Sequence, residues 1–285
     1  MKTGRSRVRP AEDAPGPHWE GEETRARWFV VAALAFIVCL FGSPQARADW
    51  RPAPKQRFDL QLTPPLDLVR RVDVLGLELF ATTPETVRQL QERGVATVCH
   101  VAAGYWESWR PDAFAFPQAL LGRKRPGLPI QRWLDIRQPD LRPVLEKRLD
   151  LCRERGFKGV LLAGLDGQAH ASGFPLQPEQ QAAFNGWLAA AAHQRGLAAG
   201  ITVDGTELRE AMANPFDFLV ADDCLAAGDC SLARPFLRAG KPVHLIGYTN
   251  VGQRMDRFCA LAADVGAPVI FKTQYLNGKL HRRCP

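Results

Sequence analysis

Acidic side chains at the ends of apolar runs are the first residues of this chain that could do chemistry. Glu78, Asp166, Asp204, Asp222 and Asp223 each stand at or just beyond a short β-rich stretch. In an α/β enzyme, such a strand exit is where a catalytic carboxylate belongs. Carboxyl groups serve as general acids and bases, and the simplest pair is Asp166 with Asp222. The alternative is that these acids cap strand ends and loops. One exit is apolar instead. In GFKGVLLAGLDGQ, from Gly156 to Gln168, the strand leaves through Leu161, Leu162, Ala163 and Gly164, and the first acid is Asp166.

A second set of candidates lies between Gly104 and Pro143, a stretch rich in Trp, Pro, Arg and Asp that contains GYWESWRPDA and RWLDIRQPD. Trp106, Trp109 and Trp133 have flat apolar faces that could stack on sugars, and Arg110, Asp112, Asp135 and Arg137 could bind hydroxyls. The competing reading is that the tryptophans pack this segment down and the charges form structural ion pairs. His193 is expected to pack or bond locally. No C-x-x-C pair or His-rich spacing points to a metal, and no dinucleotide or phosphate-loop glycine pattern is present. No cofactor is implied.

The elements that must position these residues are legible as eight β-rich pulses: 57–62, 72–80, 95–104, 159–167, 197–205, 216–224, 241–249 and 267–274. Amphipathic stretches lie between most of them. TPETVRQLQERG has a Thr83 cap and a Gly94 stop, and two more helical patterns end on Gly156 and Gly196. Continuous apolar strands alternating with helices signal a parallel sheet covered by helices. Eight such units predict an α/β fold, a (β/α)8 TIM barrel with a long insertion after the third strand. A doubly wound sheet is the alternative. Insertions after barrel strands form walls or lids over the site.

The first residues stand apart from this pattern. A basic MKTGRSRVRP precedes the apolar WFVVAALAFIVCLFG (28–42), and Ala46-Arg47-Ala48 forms a small-x-small site before Asp49. That order of parts predicts a secretory signal peptide over 1–48 and a barrel domain over 49–285. An uncleaved signal anchor is the alternative, and would be the chain's only membrane attachment. The expected location is secreted or periplasmic. The part after residue 48 keeps 30 Lys/Arg against 25 Asp/Glu, a bias too mild to argue for nucleic acid. Six cysteines remain there: Cys99, Cys152, Cys224, Cys230, Cys259 and Cys284. An exported chain can pair them, and Cys224 with Cys230 would close a short loop. A monomer is expected.

Several separated blocks resemble glycoside hydrolase family 114, the endo-α-1,4-polygalactosaminidase-like barrels, from about Asp59 to Cys284. CHVAAGYWESWRPDAFAFP, RWLDIRQPD, GFPLQPEQQAAFNGWLAAAAHQRGL and DDCLAAGDC occur in the family's order. The resemblance implies a secreted barrel that cuts galactosamine-rich polysaccharide with two carboxyl groups, which must flank one bond about 5–10 Å apart. It also suggests a Cys259–Cys284 disulfide, leaving Cys99 and Cys152 as buried free thiols.

The departures are as informative. The fourth-strand acid is Ala163, with Leu161 and Leu162 before it and Gly164 after, so that only Asp166-Gly167 remains. The sixth-strand Glu is Asp222, one methylene shorter. The family's second-strand D-x-D reads Gly76-x-Glu78, its fifth-strand block reads Thr202-Val203-Asp204, and its seventh-strand acid is Gly247. His100 stands at a tyrosine position beside the cleft. The expectation is an exported barrel that binds an amino-sugar polysaccharide with lost or much reduced hydrolysis. Its cleft would be lined by Glu78, His100, Trp106, Arg110, Asp135, Asp204, Asp222, Asp223 and Tyr248. The alternative is an active endo-glycosidase using Asp166 and Asp222 as relocated carboxylates.

Overall fold

The computed structural model describes residues 49–203, 214–222, 224–249 and 254–284. The signal segment, Asp204 and Asp223 lie outside them. Each of the eight apolar runs carries a strand. They are β1 (Phe58–Gln61), β2 (Val74–Glu78) and β3 (Ala96–Ala102), then β7 (Gly159–Ala163), β8 (Ala198–Val203), β9 (Phe218–Asp222), β10 (Val243–Tyr248) and β11 (Val269–Lys272). All eight pair in parallel in that order. The fold is the (β/α)8 barrel with its insertion after the third strand.

The helices start and stop where local chemistry requires. Helix α1 (Pro84–Glu92) begins at Thr83, whose hydroxyl accepts from the Thr86 amide at 3.2 Å, with proline in the first turn. Helix α2 (Arg142–Glu154) and helix α3 (Pro178–His193) also carry proline in the first turn. The chain leaves α2 through Gly156 at φ +87°, a left-handed turn that glycine takes at no steric cost.

Alternation along the strands sends one set of side chains inward and the other under the helices. Phe58, Leu60, Val98, Leu161, Phe218 and Ile246 belong to the cluster that fills the barrel. Gly76 and Gly200 make room for it. A Cβ on Gly76 would lie 2.6 Å from Leu60 Cδ1, and one on Gly200 would overlap the Phe218 ring. Large side chains on one strand therefore occupy the space left by glycine on the next.

The seam between β11 and β1 is bridged by side chains and by the C-terminal segment. Strand β12 (Arg282–Arg283) runs antiparallel to β11, and the Leu62 amide donates to the Leu276 carbonyl at 2.7 Å. Lys272, fully buried, places Nζ 2.7 Å from Asp59 Oδ1, and His281 Nδ1 lies 3.2 Å from the same oxygen. Burial opposes the Asp59 charge, but the His281 ring and the Lys272 ammonium outweigh it and hold the carboxyl below its ordinary range.

Three disulfides cross-link the barrel: Cys99–Cys152, Cys224–Cys230 and Cys259–Cys284. The first corrects the reading of Cys99 and Cys152 as free thiols. Cys99 points outward from β3, Cys152 points inward from α2, and their α-carbons are 6.1 Å apart, within disulfide reach.

Candidate functional site

Barrel sites form where the strands end, so the last inward side chains of each strand frame the mouth. Parity with the inner cluster puts Glu78 inward from β2, His100 from β3, Ala163 from β7, Asp222 from β9, Tyr248 from β10 and Lys272 from β11. Glu78 and His100 are register partners on neighbouring strands. Asp222 is half-buried, and Tyr248 packs into the inner cluster at 5% exposure.

The fourth exit is apolar in three dimensions as well as in sequence. Ala163 forms a buried cluster with Ala102, Tyr105 and Trp133. Its carbonyl accepts the amides of Ala103 at 3.0 Å and Gly104 at 3.1 Å, which locks the third exit across the fourth. Asp166 lies farther along, only 3% exposed. Its Oδ2 is 3.1 Å from Nε2 of His170, while its Oδ1 is buried without a hydrogen-bond partner among the described residues. His170 stacks on Trp133, with ring centroids 4.7 Å apart.

The insertion builds a wall over this side of the mouth. Strands β4 (Tyr105–Glu107), β5 (Leu121–Arg125) and β6 (Leu128–Leu134) form an antiparallel sheet in the order β4-β6-β5. From β4 a polar relay runs back to the barrel. Arg110 Nε donates to Glu107 Oε2 at 2.5 Å, and its Nη1 donates to Glu78 Oε1. Burial works against the Arg110 charge, yet Glu107 and Glu78 outweigh it and raise its pKa. Burial, with Arg110 nearby, pushes the His100 ring down to about 3. His100 is therefore a neutral imidazole at physiological pH, able to donate or accept a hydrogen bond.

Other expected sugar ligands are spent on the insertion itself. Trp133 is 2% exposed, packed against Tyr105 and His170, so it cannot offer a face to a sugar. Trp106 donates its indole N–H to the Ala113 carbonyl at 3.0 Å. Asp135 is buried and paired with Arg137 at 2.7 Å, and Asp112 with the buried Arg148 at 2.7 Å. Trp109 keeps 48% of its surface exposed, with Arg110 over its ring at 5.5 Å. His193 bonds Asp217 Oδ2 at 2.8 Å.

Sequence reasoning missed Glu107, Gln131, Arg125 and His170 as parts of the wall. Arg125 donates to Gln131 Oε1 at 2.7 Å and sits over the Tyr105 ring at 4.2 Å. The i,i+4 spacing of Asp166 and His170 and the i,i+3 spacing of Glu107 and Arg110 gave the local signals. Among the described residues no group of three His, Cys, Asp or Glu could hold a metal ion, and no helix is long and apolar enough to cross a membrane.

Comparison with known proteins adds the lineage. The profile of glycoside-hydrolase family GH114 matches residues 42–284. The crystal structure of Aspergillus fumigatus Ega3 in complex with galactosamine superposes with a TM-score of 0.75 at 24% identity, over 85% of this chain and 100% of that one. The glycoside hydrolase domain of PelA from Pseudomonas aeruginosa gives 0.58 at 20% identity, over 79% and 96%. These two likenesses establish the barrel. Among curated proteins none matches the sequence.

Proposed function

The chain belongs to glycoside-hydrolase family GH114, and on that premise we propose that it is an exported binder of galactosamine-type polysaccharide with lost or much reduced hydrolysis. The observation that carries this reading is the fourth exit. Where an acid is expected from the family pattern, Ala163 is buried among Ala102, Tyr105 and Trp133. Asp166 does not replace it, because its carboxylate is buried and engaged by His170. The galactosamine bound in the Ega3 structure supports an amino-sugar ligand. Three disulfides fit an oxidising compartment outside the cytosol.

Binding would use the mouth residues that survive. The carboxylate of Asp222 suits an ammonium-bearing sugar, neutral His100 suits a hydroxyl, and Trp109 supplies an exposed flat face, while Glu78 is held by Arg110 and the Ala81 amide. A second reading, active hydrolysis, is favoured by one observation: Asp222 faces inward at the end of β9, as a reacting carboxylate would. Hydrolysis needs a partner about 5–10 Å across one bond, and Asp166 or Glu78 would have to supply it.

The deciding assay is full-length protein on partially deacetylated galactosamine polymer, followed by reducing-end release, with Asp166→Asn and Asp222→Asn as controls. The binding reading expects retention of the polymer without release of ends. Turnover abolished by either substitution would overturn it in favour of relocated chemistry.

A further inference from the structure

Beyond the barrel mouth, the outer face of the insertion carries a groove of about 670 Å3 that the proposed function does not use. Its lining includes Gly122, Arg123, Lys124, Arg132, Gly173 and Phe174. Three of these are cationic and none is acidic. Among the described residues, no carboxylate lies within ion-pair distance of Arg123, Lys124 or Arg132, although other arginines of the insertion are neutralised by Glu78, Glu107 or Asp135.

The groove is built rather than incidental. Arg132 Nε donates to the Gly122 carbonyl at 2.7 Å and Nη2 donates to the Leu121 carbonyl at 3.0 Å, which holds its guanidinium against the floor. The Arg123 amide donates to the Ser172 carbonyl at 2.7 Å, tying the 172–174 turn to β5. A Cβ on Gly122 would overlap that same carbonyl, and Gly173 adopts φ +94° to complete the turn. Arg123 and Lys124 are exposed, and Phe174 is half-buried beside them.

We propose that this groove is a second carbohydrate site, selective for acidic saccharides such as uronate-bearing chains. Its side chains offer hydrogen-bond donors and positive charge, while two of its carbonyls are already satisfied by Arg132. A carboxylate is an acceptor-only anion that matches such a surface, and Phe174, with Arg137 over its ring at 5.9 Å, adds an apolar edge beside the cations. A peptide strand would need an open β5 edge, and the Ser172 contact occupies part of it. Single-stranded nucleic acid uses successive aromatic platforms, and this groove has one aromatic side chain. Ammonium-bearing galactosamine polymers would be repelled here, so the two sites would hold different glycans.

The test is calorimetric titration of the full chain with polygalacturonate oligomers, neutral galactan oligomers and a single-stranded oligonucleotide. Polygalacturonate is expected to bind, to weaken as salt rises, and to lose at least about fivefold in affinity in Arg123→Gln/Lys124→Gln, two exposed charges acting together. Arg123→Lys should retain most of the affinity. Thermal unfolding of the double variant checks that its fold is intact, and the salt series on the unaltered protein stands independently of any variant. Equal binding of galactan, tighter binding of the oligonucleotide, or undiminished binding by the double variant would overturn the proposal.

Discussion

Gly104 and Gly164 meet back to back where the third and fourth strand exits cross, so closely that a Cβ on Gly104 would overlap the Gly164 carbonyl. Backbone occupies the space that a side chain would need, and backbone cannot rotate away. Gly104→Ala is therefore expected to destabilise the fold by about 1–3 kcal/mol or more. Gly164→Asn is expected to cost a similar amount for a different reason: asparagine tolerates the φ of +78°, but its Cβ would strike the Tyr105 ring. Urea unfolding of both variants measures this, and neutrality of either would show that the crossing can open.

Returning an acid to the fourth exit should not by itself return chemistry. In Ala163→Asp the new carboxyl would join Ala102, Tyr105 and Trp133, an apolar setting that raises an acid's pKa. Its folded-state pKa would then exceed the unfolded value of about 3.9, so the variant loses stability as pH rises through and above that value. Unfolding at pH 5 and pH 8, with unaltered protein alongside, should show a larger deficit at pH 8. A deficit independent of pH would mean that the carboxyl reaches water.

The Cys99–Cys152 bond closes a loop of 53 residues between β3 and α2. On the loop-entropy account such a link contributes about 4 kcal/mol. The double substitution Cys99→Ala/Cys152→Ala is expected to lower stability by about 2–5 kcal/mol in denaturant titrations. Cys224→Ala/Cys230→Ala, with a separation of 6 residues, should cost less.

His244 gives the fold a pH dependence with a definite sign. It points inward from β10, stacks on Phe58 at 4.6 Å, and burial pushes its pKa down to about 4. Between about pH 6.5 and 4 the unfolded chain binds a proton that the folded chain refuses. Stability therefore falls with acidification through that window, by at most about 1.4 kcal/mol per pH unit for one histidine. His244→Phe should flatten part of the slope, leaving the share due to His100. An unchanged slope in the variant would place the acid sensitivity elsewhere.

The barrel was legible because continuous apolar runs such as VATVCHVA and GVLLA, set off by helices with proline starts and glycine stops, allow few other arrangements. Glu78 and Asp222 could be placed at the mouth by counting alternate residues along their strands. The wall was not legible in the same way. Arg110 pairs with Glu78 across 32 positions and Arg148 with Asp112 across 36, and local pattern does not encode such partners. Trp133 shows the same limit: its size made it a candidate to stack on sugar, while tertiary packing turned it under Tyr105. Cys99 and Cys152 looked like unremarkable core thiols, since only the docking of α2 on β3 brings them together.

The seam between β11 and β1 bears on the order in which the molecule can assemble. Lys272 and Asp59 are 213 positions apart, and closing so long a loop must precede any gain from the contact. As the chain is made from its N-terminal side, β1 can pair with β2 at once, but its other edge must wait for the 213 positions that separate Asp59 from Lys272. Until then the buried acid of β1 faces water, and the inward side chains Phe58 and Leu60 have neighbours on one side only. The stretch from Lys272 through His281, which brings Nζ and Nδ1 to Asp59, is thus what turns a curved sheet into a closed container.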